Sequence, residues 1–483
     1  MDLLSARKKD NIFIIKRSEI TGRLDPHYNQ PLFSKLWDKL YLISGELTTL
    51  RKNSICIFSG ITPKSGGDAY TLNDGVPFVR SGDFSEMNEI DFSKLLRLKR
   101  EIHDGIMCGS QLQKNDLLIA IVGATIGKVG VYQYDIEANI NQAICAIRLK
   151  NTLNPYYVQA FFQTYIGQKI IERITRPVAR ANINLEEVGN LPIPLLDLHK
   201  QNEIAQIMGD SRLQKQAKER DANALLASID DYLLSELGIE RPTLARTENG
   251  RFFYTSFKEI EGKRIDPYYN HPYFKKAYNS LHKTPYPVLR LGQLSTLIAS
   301  GSTPLSGGED YTTKENGIMF VRSGDITNDC NIIDSSDMLY ITKECHNTKM
   351  RQSQLRYGDI LIAIVGATIG AVNIYNYNAE ANINQAIALV RLKSGINELF
   401  ITEQLRSSIG RLNLEHQKRP VARANINLDE IAQMELILPP LEIQDKIAEN
   451  IQSIRDQAKY LQQEAKEIIN NAKQKIEQMI LGK

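Results

Sequence analysis

A glycine-rich segment at 123–130, GATIGKVG, contains the residue types of a phosphate-binding loop. A P-loop has four residues between its glycines and a Ser or Thr after its lysine, so that backbone amides surround the phosphates and the hydroxyl binds magnesium. Here only three residues separate the first two glycines, and Val129 follows Lys128. We therefore expect no ATP site at this segment.

The same glycine segment occurs again at 366–371, where alanine replaces the lysine. Because glycine adopts backbone angles that other residues resist, a tight turn between two strands is the simpler interpretation. A turn without bulky side chains can also approach a phosphate backbone closely. Thr125, Lys128 and Thr368 are therefore candidate DNA-contacting residues.

The other short motifs do not predict an active site. Residues 154–157, NPYY, are faintly similar to the Asn-Pro-Pro-Tyr loop of amino-methyltransferases but lack the second proline, and Asn154 followed by Pro155 predicts a helix start. Asp25 and Asp266 lack the acidic and lysine partners that a nuclease requires, and we expect turns there. The seven histidines show no metal-ligand spacing. We expect neither catalytic chemistry nor a metal site in this chain.

Arginines recur at matched positions of the chain. RPVARANINL at 176–185 returns at 419–428, and VRSGD at 79–83 returns at 321–325. We expect these arginines to contact phosphate or a partner protein, with ordinary solvated charge and buried pairing with a carboxylate as alternatives. The candidate residues are Arg80, Arg176, Arg180, Arg322, Arg419 and Arg423.

These matches belong to one internal duplication. LIAIVGATIG at 118–127 returns at 361–370, and EANINQAI at 137–144 returns at 380–387. So long a period is one whole domain with its connector rather than a solenoid repeat. Each copy has the pattern of an α+β domain, with a mixed β body and helices that begin at Asn154 and at Asn397. In the first copy we predict a helix over 32–43 and strands over 117–122, 130–134 and 143–149.

A long polar segment without proline follows each domain and carries one apolar stripe. Apolar residues at alternating spacings of four and three form the seam of a coiled coil, although Ser211, Lys215 and Lys218 interrupt the first stripe. We expect two long antiparallel helices that bury these stripes against each other. The alternative is two separate amphipathic helices, each packed on its own domain. The predicted seam residues are Ile204, Met208, Leu225, Ile229, Ile447, Ile451, Ile454, Leu461 and Ile468.

The bulk composition is compatible with this architecture. The chain has 483 residues, 42% of them hydrophobic, and its 59 basic and 56 acidic residues give a net charge of +3. This balance neither requires nor excludes nucleic acid, because binding needs a basic face rather than a basic average. The five cysteines form no CxxC pair, the first residues lack the apolar core of a signal peptide, and no apolar stretch is long enough to span a bilayer. We expect a cytoplasmic protein without a membrane partner.

The duplicated order of motifs resembles the specificity subunit of Type I restriction–modification enzymes. Residues 438–448, LPPLEIQDKIA, match the Leu-Pro-Pro-Leu-x-x-Gln-x-x-Ile-Ala run that ends a recognition domain in that family. The first copy, at 195–205, keeps Gln201, Ile204 and Ala205 but lacks the double proline. GATIG is also familiar inside recognition domains of the family, and the resemblance covers nearly the whole chain.

The resemblance implies how the chain is organised and what it assembles with. It implies target-recognition domains over 1–195 and 241–437, a central spacer helix over 196–240 and a C-terminal spacer helix over 438–483, related by a pseudo-two-fold axis. Each domain would recognise one half of a split double-stranded DNA site for phage defence, while the helices fix the gap. Two methyltransferase (modification) subunits and a restriction/translocase subunit would assemble on this non-catalytic chain. S-adenosylmethionine, ATP and Mg would be bound by those partners and no cofactor by the chain itself.

Base-specific contacts should come from residues that differ between the copies, because phosphate contacts position a protein whereas base edges specify the sequence. Segments 84–115 and 326–358 show little similarity and carry side chains suited to base edges or phosphates. A drifting surface loop is the alternative. The candidate residues are Lys94, Arg97, Lys99 and Arg100 in the first copy, and Lys343, His346, Asn347, Lys349 and Arg351 in the second.

Two other functions stay open at this stage. The same scaffold in a methylation-only system without a nuclease would show the same sequence features. A coiled-coil protein-interaction scaffold would share the repeat and the helices but would not bind duplex DNA in the salt-dependent way that phosphate neutralisation produces.

Overall fold

A computed structural model gives the structure of the chain and describes residues 13, 15, 16, 20, 23–43, 46–64, 67–72, 74–176, 181–241, 253–260, 264–326, 338–419 and 425–482. The chain forms two compact units. Unit 1 contains 1–220 and 461–483, and unit 2 contains 221–460. The predicted boundaries at 196 and 438 follow the starts of the spacer helices, whereas the compact units divide each spacer helix in the middle, because its two halves pack into different units.

Unit 1 is built from short strands, one cluster of helices and the first long helix. Its strands are β1 Leu47–Thr49, β2 Ser54–Ser59, β3 Tyr70–Thr71, β4 Val76–Val79, β5 Leu96–Leu98, β6 Leu117–Ala120, β7 Val129–Val131, β8 Asn139–Ile140, β9 Ile144–Leu149 and β10 Pro192–Pro194. Its helices are α1 Pro31–Ile43, α2 Arg100–Asp104, α3 Pro155–Gln163, α4 Tyr165–Ile174, α5 Leu185–Gly189 and the first part of α6 Leu198–Glu236. The predicted helix at 32–43 and the three predicted strands are confirmed to within a few residues.

Two four-stranded sheets and one small pair organise unit 1. The first sheet has the order β2-β9-β6-β7, the second has the order β3-β5-β4-β8, and β1 pairs with β10. All pairs are antiparallel except β4 with β8. Strand β6 is buried on both faces. Because side chains alternate along a strand, its two faces pack in different clusters. Leu117 and Ile119 pack in the cluster with α3 and α4, whereas Leu118 and Ala120 pack in a separate cluster with residues of the second sheet.

Unit 2 repeats this topology. Its sheets have the orders β12-β19-β16-β17 and β13-β15-β14-β18, with a β11-β20 pair. The bounds of its strands are β11 Val288–Arg290, β12 Ser295–Ser300, β13 Tyr311–Thr312, β14 Ile318–Val321, β15 Leu339–Ile341, β16 Ile360–Ala363, β17 Val372–Ile374, β18 Ala381–Ile383, β19 Ile387–Leu392 and β20 Glu435–Ile437. Its helices are α7 Phe257–Ile260, α8 Pro272–Leu281, α9 Leu291–Leu294, α10 Lys343–Asn347, α11 Glu398–Arg406, α12 Ser408–Gln417, α13 Leu428–Ala432 and the first part of α14 Leu441–Ile480. The duplication seen in the sequence is therefore a duplication of fold.

The same cap begins α3 and its counterpart α11. The Asn154 side chain accepts a hydrogen bond from the Tyr156 amide, and Pro155 occupies the first turn. Asn397 accepts in the same way from the Phe400 amide. Such a side chain satisfies one of the amides that a helix start leaves unpaired. Both predicted helix starts are confirmed.

The two long helices α6 and α14 run antiparallel. In unit 2, the Asn450 amide donates to the Tyr232 hydroxyl at 2.7 Å, and Lys446 lies 3.5 Å from Glu236. One residue number rises by four while the other falls by four, which is the pattern of antiparallel neighbours. In unit 1, Lys218 of α6 pairs with Glu464 of α14 at 2.9 Å.

The predicted seam faces the interior, but it does not only join the two helices. Ile204 and Met208 lie in the unit 1 core together with Ile476 and Ile480 of α14. Ile229, Ile447 and Ile451 belong to the unit 2 core in the same way. Each end of the helix pair is therefore part of a domain core. Leu225, Ile454, Leu461 and Ile468, which lie nearer the middle, are only half-buried.

Candidate nucleic-acid interface

The GATIG segment forms the turn that joins β6 to β7. Gly123 and Gly127 have φ of +80° and +85°, in the left-handed region where an L side chain is strained. Their counterparts Gly366 and Gly370, between β16 and β17, have φ of +90° and +88°. The predicted turn is confirmed in both units, and the repetition of glycine at these positions has a conformational cause.

The described end of the RPVARANINL segment, from Ala181 in unit 1 and from Asn425 in unit 2, lies directly against this turn. The Gly123 amide donates to the Ala181 carbonyl at 3.1 Å, and the Ile183 amide donates to the Ile121 carbonyl at 3.0 Å. In unit 2 the Ile426 amide donates to the Ile364 carbonyl at 3.0 Å. Two motifs that are more than fifty residues apart in the sequence therefore form one surface. The candidate residues Arg180 and Arg423 lie outside the described residues.

Arg176 and Arg419 are paired with carboxylates. The Arg176 guanidinium donates two hydrogen bonds to Glu187, at 2.7 and 2.8 Å, and Arg419 donates to Glu430 at 3.0 Å. Both glutamates also complete the capping boxes of α5 and α13. This geometry matches the carboxylate-pairing alternative. The Arg176 side chain is nevertheless 33% exposed and the Arg419 side chain 46%, so part of each cation faces solvent.

The VRSGD segment forms a second turn at the same end of the sheets. Arg80 pairs with Asp83 at 2.9 Å and Arg322 with Asp325 at 3.1 Å, and both arginines keep a large exposed fraction. The Lys128 ammonium donates to the Ser81 carbonyl at 3.1 Å and to the Phe84 carbonyl at 3.0 Å. Lys128 therefore links the GATIG turn to the VRSGD turn, and its ammonium group is engaged in these two hydrogen bonds.

Sequence reasoning missed a further repeated segment that joins this surface. GITPKSGG at 60–67 returns as GSTPLSGG at 301–308, and a search at the known shift would have found it. The exposed hydroxyl of Thr62 bonds to Gln142, and Thr303 bonds to Gln385 in the same way. We name the surface formed by 60–62, 80–83, 123–128 and 141–143 the repeat face of unit 1. The repeat face of unit 2 is formed by 301–303, 322–325, 366–371 and 384–386.

In unit 1 the segment predicted to differ between the copies contains a central strand and a helix of the domain rather than only a surface loop. Residues 96–98 form β5 in the middle of the second sheet, and α2 follows directly. The His103 Nδ1 lies 2.6 Å from the Asn139 side-chain oxygen, and the Asn139 amide donates to the Met107 carbonyl at 2.8 Å. In unit 2 the His346 Nδ1 likewise lies 2.5 Å from the Asn382 side-chain oxygen.

The prediction that these segments have little in common is wrong for their second half. His103, Met107 and Ser110 match His346, Met350 and Ser353, and all six side chains are buried. His346 was expected to contact bases, but its side chain is only 6% exposed and serves the fold instead. We name residues 99–111 and 342–354 the variable turns, because most of their exposed residues differ, whereas the buried His, Met and Ser are the same in both.

The candidate cations near the variable turns remain charged and exposed. A hydrogen bond from Lys94 lowers the pKa of the Asp91 carboxyl to about 2. A side-chain hydrogen bond to Glu137 raises the pKa of Arg100. Lys349 pairs with Asp310 at 2.8 Å, which likewise raises its pKa.

Of the remaining candidate residues, two are partly buried and three are exposed. Arg97 donates to the Gly75 carbonyl at 3.0 Å and is half-buried in β5. Lys99 begins α2, where its backbone forms the cap position. Lys343, Asn347 and Arg351 are exposed.

The variable turn and the repeat face lie at opposite ends of the second sheet. The variable turn follows the C-terminal end of β5, and the repeat face includes the turn after the C-terminal end of β4. Since β4 and β5 are antiparallel, these ends point in opposite directions. Each unit therefore presents one surface that is nearly the same in both copies, with Ile61 and Lys128 replaced by Ser302 and Ala371, and another that differs more.

The described residues show neither a metal-binding cluster nor a membrane-spanning helix. In this part of the chain, no three His, Cys, Asp or Glu side chains are grouped so that they could hold a metal ion. None of the described helices is both long and apolar enough to cross a bilayer.

Comparisons with known proteins agree with the duplication. The family model described as "Type I restriction modification DNA specificity domain" matches residues 53–218 and 284–477, one match in each copy. The EcoBI specificity subunit of a type I restriction enzyme from Escherichia coli is 28% identical over 167 residues, which are 34% of this chain and 35% of that protein. The chain thus spans about a third of that relative.

Two other matches extend over most of the chain. A putative type I restriction enzyme MjaX specificity subunit from Methanocaldococcus jannaschii is 25% identical over 433 residues, 88% of this chain and 90% of that protein. The crystal structure of an S subunit of a type I restriction–modification system from M. genitalium covers 89% of this chain and 95% of its own, at 11% identity and a TM-score of 0.41. The two family matches together span most of the sequence, and the chain belongs to the family of Type I restriction modification DNA specificity domains.

Proposed function

We propose that this chain recognises a two-part double-stranded DNA site and positions methyltransferase subunits on it. Because it belongs to the specificity family, the chain is a DNA-recognition subunit rather than an enzyme. The observation that supports a two-part site is the repetition of one sheet topology with different exposed side chains in the two variable turns. Two copies of one fold with different surfaces suit two half-sites of different sequence.

The repeat faces supply what both half-sites need. Phosphates are the same at every site, so residues that are identical in both copies suit phosphate or partner contact rather than base recognition. Arg80 and Arg322 are the strongest candidates, since their turns are exposed and each arginine is held in position by an aspartate. Thr125 and Thr368 are further candidates on this surface, and the partly exposed Arg176 and Arg419 are candidates next to it.

The partners follow from the family and from the duplication. Two methyltransferase subunits would use the two equivalent copies, and a restriction/translocase subunit would join them in the cytoplasm. S-adenosylmethionine, ATP and Mg would be bound by those subunits. A purely protein-binding scaffold is disfavoured by the family match, which covers both copies.

Reconstitution with the cognate modification subunit tests this function. The complex is expected to methylate adenine at one split site in a duplex DNA library, and the chain or the modification subunit alone is expected to give no methylation. Binding of the complex to DNA should weaken as salt rises, because phosphate contacts release counterions. Methyl transfer by the pure chain alone, or methylation by the complex without sequence preference, would contradict the proposal.

A further inference from the structure

We propose that the variable turns, residues 99–111 and 342–354, are the elements that select the bases of each half-site. This inference rests on the proposed function, because it concerns the same DNA site. It narrows a divergent segment of some thirty residues to the exposed side of one short helix and the turn after it.

The variable turns share one buried frame. In unit 1 the Asn139 side-chain oxygen accepts from His103 Nδ1, and its amide group donates to the Met107 carbonyl and to the Ser110 hydroxyl. The Gln111 side chain also donates to the His103 carbonyl at 3.1 Å. These bonds fix the turn at both ends and in the middle, and they hold buried polar groups that would be costly if unpaired.

The buried frame of unit 2 is the same, bond for bond. Asn382 contacts His346, the Met350 carbonyl and the Ser353 hydroxyl, and Gln354 donates to the His346 carbonyl at 3.1 Å. The two turns are therefore held by the same hydrogen bonds, although their backbones differ slightly at Gly105 and Thr348. A difference in what the two turns bind must come from their exposed side chains.

The exposed side chains of the two turns differ in charge and in shape. Unit 1 has Arg100, Asp104, Ile106, Cys108 and Gly109 at positions where unit 2 has Lys343, Asn347, Lys349, Arg351 and Gln352. The unit 1 set carries one positive and one negative charge, whereas the unit 2 set carries three positive charges and two amides. Only one exposed position, Glu101 and Glu344, has the same residue in both.

This pattern is the one expected of a sequence-reading element. The buried hydrogen-bonded frame is what both domains need in order to fold, and it leaves the exposed side chains free to suit the bases of one half-site. Arg and Lys suit guanine edges, Asn and Gln suit adenine, and a carboxylate suits the amino group of cytosine. An open cleft beside α2 in unit 1 presents both signs of charge, from Arg97, Arg100 and Glu137. Both donors and acceptors of a base edge would find partners there.

An exchange of exposed residues tests the inference without disturbing the frame. The variant Arg100→Lys, Asp104→Asn, Ile106→Lys and Cys108→Arg gives unit 1 most of the unit 2 surface. Gly105 is kept, because a Cβ there would lie 2.7 Å from the Glu101 carbonyl oxygen. The reconstituted methyltransferase complex is then offered a duplex library in which both half-sites are randomised, and the methylated sites are sequenced.

The expected result is a change of about 10- to 100-fold in base preference at one or more positions of the first half-site. The second half-site and the gap should stay as in the wild type, so each molecule contains its own control for folding and assembly. The reciprocal exchange in unit 2 should change only the second half-site.

Two outcomes would decide against the inference. Unchanged preferences at both half-sites, with normal methylation, would place base selection elsewhere in the units. If the variant does not methylate, binding of its complex to the same library gives the answer: loss of preference in the first half-site alone supports the inference, and retention of the original preference overturns it. Failure of the wild-type complex to select any site would instead contradict the proposed function.

Discussion

The imidazole of His416 stacks on the ring of Tyr269, with the two centroids 4.1 Å apart, and its Nε2 lies 2.8 Å from the Tyr269 carbonyl oxygen. The equivalent residues in unit 1 are Arg173 and Tyr28, where the guanidinium carbon lies 4.5 Å from the ring centroid. Burial lowers the pKa of His416 to about 4. The same structural position therefore holds a neutral ring in one unit and a permanent cation in the other.

The folded state of unit 2 should become less stable in mild acid, because His416 is buried in its neutral form. Its folded pKa is below the unfolded value of about 6.5, so the unfolded state binds the proton more readily. The stabilisation is present above pH 6.5 and is lost as the pH falls toward 4, with about 2 kcal/mol lost between pH 7 and pH 5. Hydrogen exchange of α12 should report the loss, and α4 of unit 1 is the internal control. His416→Phe should flatten the pH dependence of α12; an unchanged dependence would exclude His416 as its source.

A buried ion pair network in unit 2 gives a second prediction. Glu403 pairs with Arg406 at 2.7 Å and with Arg455 of α14 at 2.5 Å, and the Glu403 side chain is 1% exposed. Glu403→Ala would leave buried guanidinium groups without their carboxylate, and we expect a cost of about 3–5 kcal/mol in the unfolding of unit 2. Chemical denaturation followed by hydrogen exchange in α11 measures this cost.

Unit 1 provides the matched rescue for that variant. It has Ala160, Gln163 and Arg212 at the equivalent positions, and Arg212 donates to the Gln163 side chain at 3.1 Å. The double variant Glu403→Ala, Arg406→Gln should therefore recover much of the lost stability. A double variant as unstable as Glu403→Ala would show that the carboxylate is not the reason for the loss.

The seam should tolerate no charge where it enters a domain core. Ile451 is 0% exposed in the unit 2 core, so Ile451→Asp places a carboxylate in an apolar site, at a cost of several kcal/mol. Lys459→Asp, at an exposed position of the same helix, is the control and should change the free energy of unfolding by less than about 0.5 kcal/mol. Equal stability of the two variants, measured by denaturant unfolding, would mean that Ile451 is not packed as described.

Two glycines should respond with opposite signs to the same change. A Cβ at Gly60 would lie 1.6 Å from the Ile140 carbonyl oxygen, so Gly60→Ala must displace the β2 exit from β8 and should destabilise unit 1 by more than about 1 kcal/mol. Gly209 lies within α6, and its Cβ would meet no atom within 4 Å. Gly209→Ala should stabilise the helix by up to about 1 kcal/mol. Thermal unfolding of both variants beside the wild type checks the pair.

The strands and helix starts could be predicted from the sequence because their signals are local. Residues 117–120 are apolar on every side, and Asn154 with Pro155 is a cap signal within two residues. The long helices could be predicted equally well, because the apolar stripe of each extends over about forty residues. The comparison of the two copies supplied the fold duplication without any knowledge of the structure.

The contacts of the site could not be predicted, because they join residues far apart in the chain. His103 and Asn139 are 36 residues apart, and nothing in either local sequence indicates the other. The carboxylate partners of Arg176 and Arg419 were one of several alternatives, and the spacing to Glu187 and Glu430 gained meaning only once α5 and α13 were placed. The buried role of His346 was missed because its match with His103 is one residue within a divergent stretch.

The division of the long helices has a consequence for biosynthesis. The core of unit 1 includes Ile476, Ile480 and Leu481, which a ribosome adds only after the whole of unit 2. At a synthesis rate of roughly 5–20 residues per second, unit 1 lacks its last core residues for some tens of seconds. During that time the apolar stripe around Ile204 and Met208 lacks its α14 neighbours, so a nascent chain should be most prone to misassociation with a second nascent chain before synthesis ends. Loss of the final helix turns would therefore damage the first-made domain, not the last-made one.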